Sequence, residues 1–146
     1  MIKLNYFNVE LFDFKNPNHI YIMNKMESES GIKYIVGDGD LKSFLMFHSC
    51  DDNGNSYIVK DKEKTIGLIG TIPYDELSME LWCSILEEHR NQGYSKKILM
   101  DISKNIKNFK LIIDNDNICS IKSVSNAGYV KICDYDLLKS IYMLKR

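Results

Sequence analysis

The chain changes its hydrophobic period several times, and each change marks an element. Residues 2–12 alternate loosely and predict a first strand. "NHIYIMNKME" sets Ile20, Met23 and Met26 near helical spacing behind Asn16-Pro17, a helix-entry signal. "GIKYIVGDGD" breaks that helix at glycines. "DLKSFLMFHS" offers Leu41, Phe44, Leu45 and Phe47 as a short second helix, and "DDNGNS" reads as a polar loop. "SYIVK" and "TIGLIGTI" are β-rich runs joined across Asp61 to Lys64, the pattern of a hairpin. "TIPYDELS" turns the chain and "MELWCSIL" (79–86) is a further strand.

From Tyr94 the period becomes helical, with Tyr94, Ile98 and Ile102 at i, i+4 and i+8 and with Leu99 and Ile106 alongside. "FKLIID" is short and continuously apolar, as in a strand buried on both faces. "NICSIKSVSNAGY" predicts a helix carrying Ile118, Ile121 and Val124 on one face and stopping at Gly128. "YVKICDYDLLKSIYMLK" closes with strand-like runs. The order predicts an α/β (α+β) fold on a mixed sheet. No repeat, low-complexity tract or linker divides it, so residues 1–146 are expected to form one domain.

Composition narrows the function classes. Apolar residues make up 45% and charged residues 27%, the balance of a soluble globular domain. The formal net charge is −1, which gives no bulk electrostatic drive toward nucleic acid. No apolar run reaches the ~20 residues that span a bilayer, and the N-terminus lacks a signal-peptide pattern. The expected location is cytoplasmic, with no membrane partner. Cys50, Cys83, Cys119 and Cys133 form no CxxC pair and have no His at zinc spacing, so free, partly buried thiols and no metal are expected.

The chemistry concentrates in "EEHRNQGYSKK", which holds Arg90, one of only two arginines in a lysine-rich chain. Strand, short loop, glycine and helix together bind anions: the first helical N–H groups have no internal partner, the dipole is positive there, and glycine admits close approach. No P-loop and no GxGxxG dinucleotide motif exists, and "DDNGNS" lacks the glycine and glutamate of a calcium loop.

Arg90-Asn91-Gln92-Gly93-Tyr94-Ser95 resembles the R/Q-x-x-G-x-G/A signature of the GNAT superfamily of N-acetyltransferases. "NICSIKSVSNAGY", from Asn117 through Ser120 to Gly128 and Tyr129, is similar to that family's N-x-x-S…G-F segment at the usual spacing. Ser95 in place of Gly or Ala, and Tyr129 in place of Phe, depart from the pattern. The resemblance implies a mainly antiparallel sheet with a central splayed parallel pair, flanked by helices, and acetyl-CoA (coenzyme A) as co-substrate. It implies pyrophosphate on the amides of residues 91 to 96, including Lys96, with Arg90 beside it. Pantetheine would lie along residues 83 to 85, pairing with backbone at Cys83 and Ile85. Asn117 would hydrogen-bond near the pantetheine or the incoming amine.

Acetyl transfer needs a base for the amine, a donor for the developing oxyanion and an acid for the departing thiolate. A backbone N–H around Ser84 or Ile85 suits the oxyanion. Glu80 resembles the glutamate of ribosomal-protein-type acetyltransferases; its other reading is a solvent-facing strand residue. Glu87 and Glu88 read as solvated loop acids, and His89 as facing solvent. Many relatives carry tyrosine where this chain has Val124, so Ser120 stands as the acid, or else as a residue that caps or packs in its helix. Tyr129 and Tyr135 are further hydroxyls. Trp82, Phe44 and Phe47 either line an acceptor pocket or pack in the core. The expectation is acetyl transfer to a small-molecule or protein amine by direct attack, in a monomer or homodimer. The alternative is a non-catalytic acyl-CoA-binding module of the same fold.

Overall fold

A computed structural model describes residues 2–49, 52–106 and 108–145. Seven strands and five helices are formed among them. Strands β1 (Asn8–Leu11), β2 (Asn55–Asp61), β3 (Lys64–Pro73), β4 (Met79–Ile85), β5 (Phe109–Asp114), β6 (Tyr129–Asp134) and β7 (Lys139–Leu144) make one sheet in the order β1-β2-β3-β4-β5-β7-β6. Every pairing is antiparallel except β4 with β5, which is parallel.

The helices divide between the two faces. Helix α4 (Tyr94–Asn105) turns Ile98, Leu99 and Ile102 onto one face, where they meet Leu81, Ile85 and Leu111, with Val124 of α5 (Ile118–Asn126). On the other face α1 (Pro17–Glu27), α2 (Lys33–Val36) and α3 (Leu41–Phe47) bring Met23, Met26, Leu41 and Leu45 onto Ile58, Leu68, Trp82 and Leu86. Strand alternation explains the split. Leu81 and Ile85 of β4 face α4, while Trp82 on the same strand faces α1 and α3.

Local signals start the helices, at Asn16-Pro17 as expected and at Asp40 besides. The Asn16 side-chain oxygen accepts from Asn18 N at 2.9 Å and His19 N at 3.4 Å, with Pro17 in the first turn, and Asp40 caps α3 by accepting from Ser43 N at 2.8 Å. Asp61 and Lys64 are the paired ends of the β2–β3 hairpin. Beyond α5 the chain turns at Gly128 with φ +94°, a left-handed conformation that suits glycine.

Five expectations are corrected. The first strand spans only Asn8–Leu11, because the amides before it serve another element: Asn5 N and Tyr6 N donate to the buried Asp101 carboxylate of α4 at 2.8 to 3.0 Å. "GIKYIVGDGD" is not a plain break, since a 3-10 turn (Ser30–Ile32) runs into α2, and Ile35 and Val36 pack on the α1–α3 core. β5 alternates buried and half-buried residues instead of being sealed on both faces, since a cleft opens beside it. On α5, Val124 is buried but Ile118 is 56% exposed, so its expected apolar stripe is only partly used. Of the polar loop "DDNGNS", Asn55 and Ser56 already belong to β2, while Asp51 lies outside the described residues.

Cys83, Cys119 and Cys133 are unpaired thiols, and Cys50 lies outside the described residues. Cys119 and Cys133 are exposed, more so than expected. Among the described residues no helix is long and apolar enough to cross a membrane, and no group of metal-ligating side chains gathers.

Candidate functional site at the splayed strands

β4 and β5 pair only at Met79 with Phe109 and Glu80 with Lys110, at the start of both strands. Beyond that they part. A cleft of about 1050 Å³ runs through the opening, bounded by the α4 N-terminus, the start of α5, and α2 with α3.

Backbone alternation decides what β4 offers to this gap. Leu86 N donates to Ile66 O at 2.9 Å, so the even positions of β4, Ser84 included, spend their backbone groups on β3. Met79 N reaches the other way, to Asn108 O. The odd positions, Cys83 and Ile85 among them, therefore aim N–H and C=O at the gap. Of the two N–H groups considered for the oxyanion, the Ile85 N–H faces the gap, whereas the Ser84 N–H belongs to the ladder with β3. The Ile85 carbonyl is engaged as well, accepting from Arg90 Nε at 3.0 Å.

The loop before α4 is curled by two left-handed residues, Asn91 at φ +62° and Gly93 at φ +78°. Gly93 is the N-cap and supplies no side chain, so the Tyr94, Ser95 and Lys96 amides lack a capping oxygen. The first bond in this turn is Lys97 N to Gly93 O at 3.1 Å. Three orphan donors at the positive end of a twelve-residue helix, opening on the cleft, fit a diphosphate. Arg90, Asn91, Gly93, Tyr94, Ser95 and Lys96 all border the cleft, and the unpaired edge of β4 fits an extended amide-bearing arm. Those residues are the ones that would hold coenzyme A.

Gln92 stands apart: it does not border the cleft, and its Nε2 reaches Glu88 O at 3.5 Å. Tyr94 is anchored from below. Its hydroxyl donates to Asp61 Oδ2 at 2.9 Å, and Lys64 Nζ lies 5.6 Å from its ring centroid. The β2–β3 hairpin end thus props the start of α4. Ser95 is hydrogen-bonded to the Cys83 thiol. Burial pushes that thiol up to about 12, with the Ser95 bond pulling the other way, so Cys83 is no nucleophile near neutrality.

Glu80 shares the α1–α3 face of β4 with Trp82 and borders the cleft. Burial raises its carboxyl above the usual range, and Lys139 opposes the rise. It is half-buried, not a plainly solvent-facing strand residue. Asn117 is the N-cap of α5: its Oδ1 accepts from Ser120 N at 3.3 Å, which leaves its amide NH₂ as the group for a ligand. Ser120 and Val124 also border the cleft.

Several candidates lie elsewhere. Phe44 borders the cleft, but Phe47 does not and is 61% exposed. Tyr129 is buried, with its hydroxyl donating to Leu99 O at 3.4 Å, and Tyr135 is exposed past β6. The loop acids are more engaged than a solvated turn. Glu88 pairs with Lys25 of α1, and Glu87 N donates to the Glu29 carboxylate at 3.1 and 3.2 Å. His89 is half-buried, edge-on to Tyr94 at 6.5 Å between centroids.

Sequence reasoning missed Asp61, Asp101, Glu29 and Gly31. The pattern held one usable signal, an acid at Asp101 within the apolar stripe of α4.

No family model matches the sequence, and no characterised protein matches it by sequence. Solved structures match the fold. A spermidine N-acetyltransferase from Vibrio cholerae, in complex with CoA and spermine, superposes with a TM-score of 0.69 at 18% identity over 95% of both chains. The Campylobacter jejuni N-acetyltransferase PseH, in complex with acetyl coenzyme A, gives 0.69 at 16% identity, covering 96% of this chain and 99% of its own. An acetyltransferase from Agrobacterium tumefaciens gives 0.75 at 13% identity, over 99% of this chain and 94% of its own. The chain has the GNAT fold, with the mainly antiparallel sheet and one splayed parallel pair expected from its motifs.

Proposed function

We propose that the protein transfers an acetyl group from acetyl-CoA to an amine by direct attack. The observation that carries this reading is the alignment of three elements along one cleft: uncapped amides at the α4 N-terminus, outward-facing backbone at Cys83 and Ile85, and a half-buried carboxylate at Glu80.

Acetyl-CoA, when bound, supplies an activated thioester carbonyl. The chain's own residues supply the rest. The Tyr94, Ser95 and Lys96 amides bind the diphosphate with the guanidinium of Arg90, and the β4 edge orients the pantetheine arm. Glu80 takes the proton from the ammonium of the acceptor, and burial makes its carboxylate a better proton acceptor than an exposed one. The amine nitrogen then bonds to the carbonyl carbon while the C–S bond breaks with its electron pair on sulfur. The Ile85 N–H faces the carbonyl oxygen as charge develops there. With Val124 apolar and buried, the second proton on the nitrogen passes to the thiolate through Ser120 or water, which leaves the neutral amide and free CoA thiol. The Asn117 NH₂ positions the pantetheine or the amine.

The test is an acceptor screen that follows CoA release, run beside acetyl-CoA binding by thermal shift. Acetylation above the uncatalysed rate is expected. Tight acetyl-CoA binding with no acceptor turned over supports the second reading, a non-catalytic acyl-CoA-binding module, which the apolar Val124 favours.

A further inference from the structure

The two halves of the cleft differ in chemistry. The half facing α4 and α5 carries the amides and cations described above. The half facing α2 and α3 is walled by Tyr34, Ile35, Phe44, Ile72 and Trp82, with Glu80 the carboxylate among them.

Trp82 is the centre of this wall. It pairs with Gly70 across β3 and β4, and the indole lies over that glycine; a Cβ built on Gly70 would fall 2.3 Å from Nε1 and 2.4 Å from Cε2. The missing side chain is what lets a tryptophan lie close against the sheet. Phe44 meets it edge-on, with centroids 5.2 Å apart and planes at 77°. Trp82 is 6% exposed and packed on both sides, so its indole is a fixed wall.

Charge is scarce and mixed here. Lys33 stands at the rim with Nζ 5.1 Å from the Tyr34 ring centroid. Asp114 and Asp116, across the cleft on the α5 side, are the other acids at its border, and Lys139 Nζ lies 3.8 Å from Asp114 Oδ1. A polyamine needs a carboxylate or an equivalent acceptor for each buried ammonium, because an unpaired buried charge costs far more than apolar contact returns. Among the described residues this half of the cleft has one carboxylate and a rim cation.

We propose that the acceptor is a small primary monoamine with an aromatic or branched aliphatic body, its nitrogen at Glu80 and its body against Trp82 and Phe44, and that polyamines are disfavoured. This deepens the acetyl-transfer reading and rests on it for the identity of the pocket.

Trp82 is the chain's single tryptophan, so its fluorescence reports occupancy without any turnover. The parent protein, saturated with CoA, is titrated with 2-phenylethylamine and with spermidine at matched ionic strength. A saturable change with 2-phenylethylamine is expected, at a dissociation constant at least tenfold below that for spermidine. Phe44→Ala should weaken 2-phenylethylamine several-fold and leave acetyl-CoA binding unchanged. Lys33→Glu, at an exposed position, should narrow the gap between the two amines. Spermidine binding as tightly as 2-phenylethylamine, or no saturation with the aromatic amine, overturns the proposal. Turnover separates the two readings: preferential acetylation of spermidine rejects the acceptor class and keeps acetyl transfer, whereas tight 2-phenylethylamine binding without acetylation keeps the class and rejects the transfer.

Discussion

The guanidinium of Arg90 lies on the bare Cα of Gly31. A Cβ built there would fall 2.8 Å from Nη2 and 3.2 Å from Nη1. Arg90 Nε holds the Ile85 carbonyl at the same time, so one side chain joins the phosphate-type loop, the end of β4 and the turn that leads into α2. The link is reinforced beside it by Lys25 with Glu88 and by Glu29 with Glu87 N. Wall and loop are thereby held to one another.

Arg90→Ala is expected to weaken acetyl-CoA binding, and more at low salt than at high, because a contact between an exposed guanidinium and phosphate is partly screened. Gly31→Ala should give a milder version of the same defect. The added methyl meets the far end of a flexible side chain, which moves aside, so the fold loses little. Binding isotherms at two ionic strengths check both variants. Equal losses for Arg90→Ala on pantetheine and on full CoA would place Arg90 away from the diphosphate.

Gly93→Val should cost about 1–2 kcal/mol of stability, since a β-branched residue is strained at φ +78°. Nothing lies within 4 Å of a Cβ at Gly93, so strain and the blocked approach of an anion are the whole effect. The parent should gain about 2.7 kcal/mol from acetyl-CoA at 100 times Kd, measured as a thermal shift. Gly93→Asn, which tolerates the left-handed region, should keep most of the stability. A full ligand-induced shift in the valine variant would contradict the loop's assignment.

Glu80→Gln should lower turnover by roughly two to four powers of ten and leave acetyl-CoA affinity nearly unchanged. The acid limb of the pH–rate profile should flatten. A stability effect of opposite sign accompanies it. The folded carboxyl is raised above its unfolded value by burial, so the folded state binds the extra proton between the two values. Through that window the parent therefore loses stability relative to the glutamine variant as pH rises. Melting temperatures of both proteins from pH 4 to 8 test the sign.

Asn117 has two separable functions. Asn117→Asp keeps an oxygen for Ser120 N and removes the NH₂, so it should hold the melting temperature and lower turnover. Asn117→Ala should do both kinds of damage, with about 1 kcal/mol lost from the helix cap. If aspartate restores full activity, the side chain acts only as a cap. Ser120→Ala, assayed alongside, should slow turnover with little change in acetyl-CoA affinity if its hydroxyl serves the leaving thiolate.

What the sequence by itself determined is local. The period of apolar residues set the strands and helices from Asn55 to the C-terminal hairpin, Asn16 marked a helix start, and the Arg90-to-Ser95 stretch marked a glycine turn into a helix. Each of these signals acts within one or two turns of chain, where dihedral preference and capping operate. The tertiary structure decided the rest. It parted β4 from β5, turned the Ile85 N–H and not that of Ser84 into the gap, laid Arg90 on Gly31, and set Asp61 under Tyr94. It also drew residues 5 and 6 away from the first strand onto Asp101. Periodicity states which side of an element is apolar but not what will cover it. Contacts between segments far apart in the chain, and the burial that raises Glu80, exist only once the two cores have closed on the sheet.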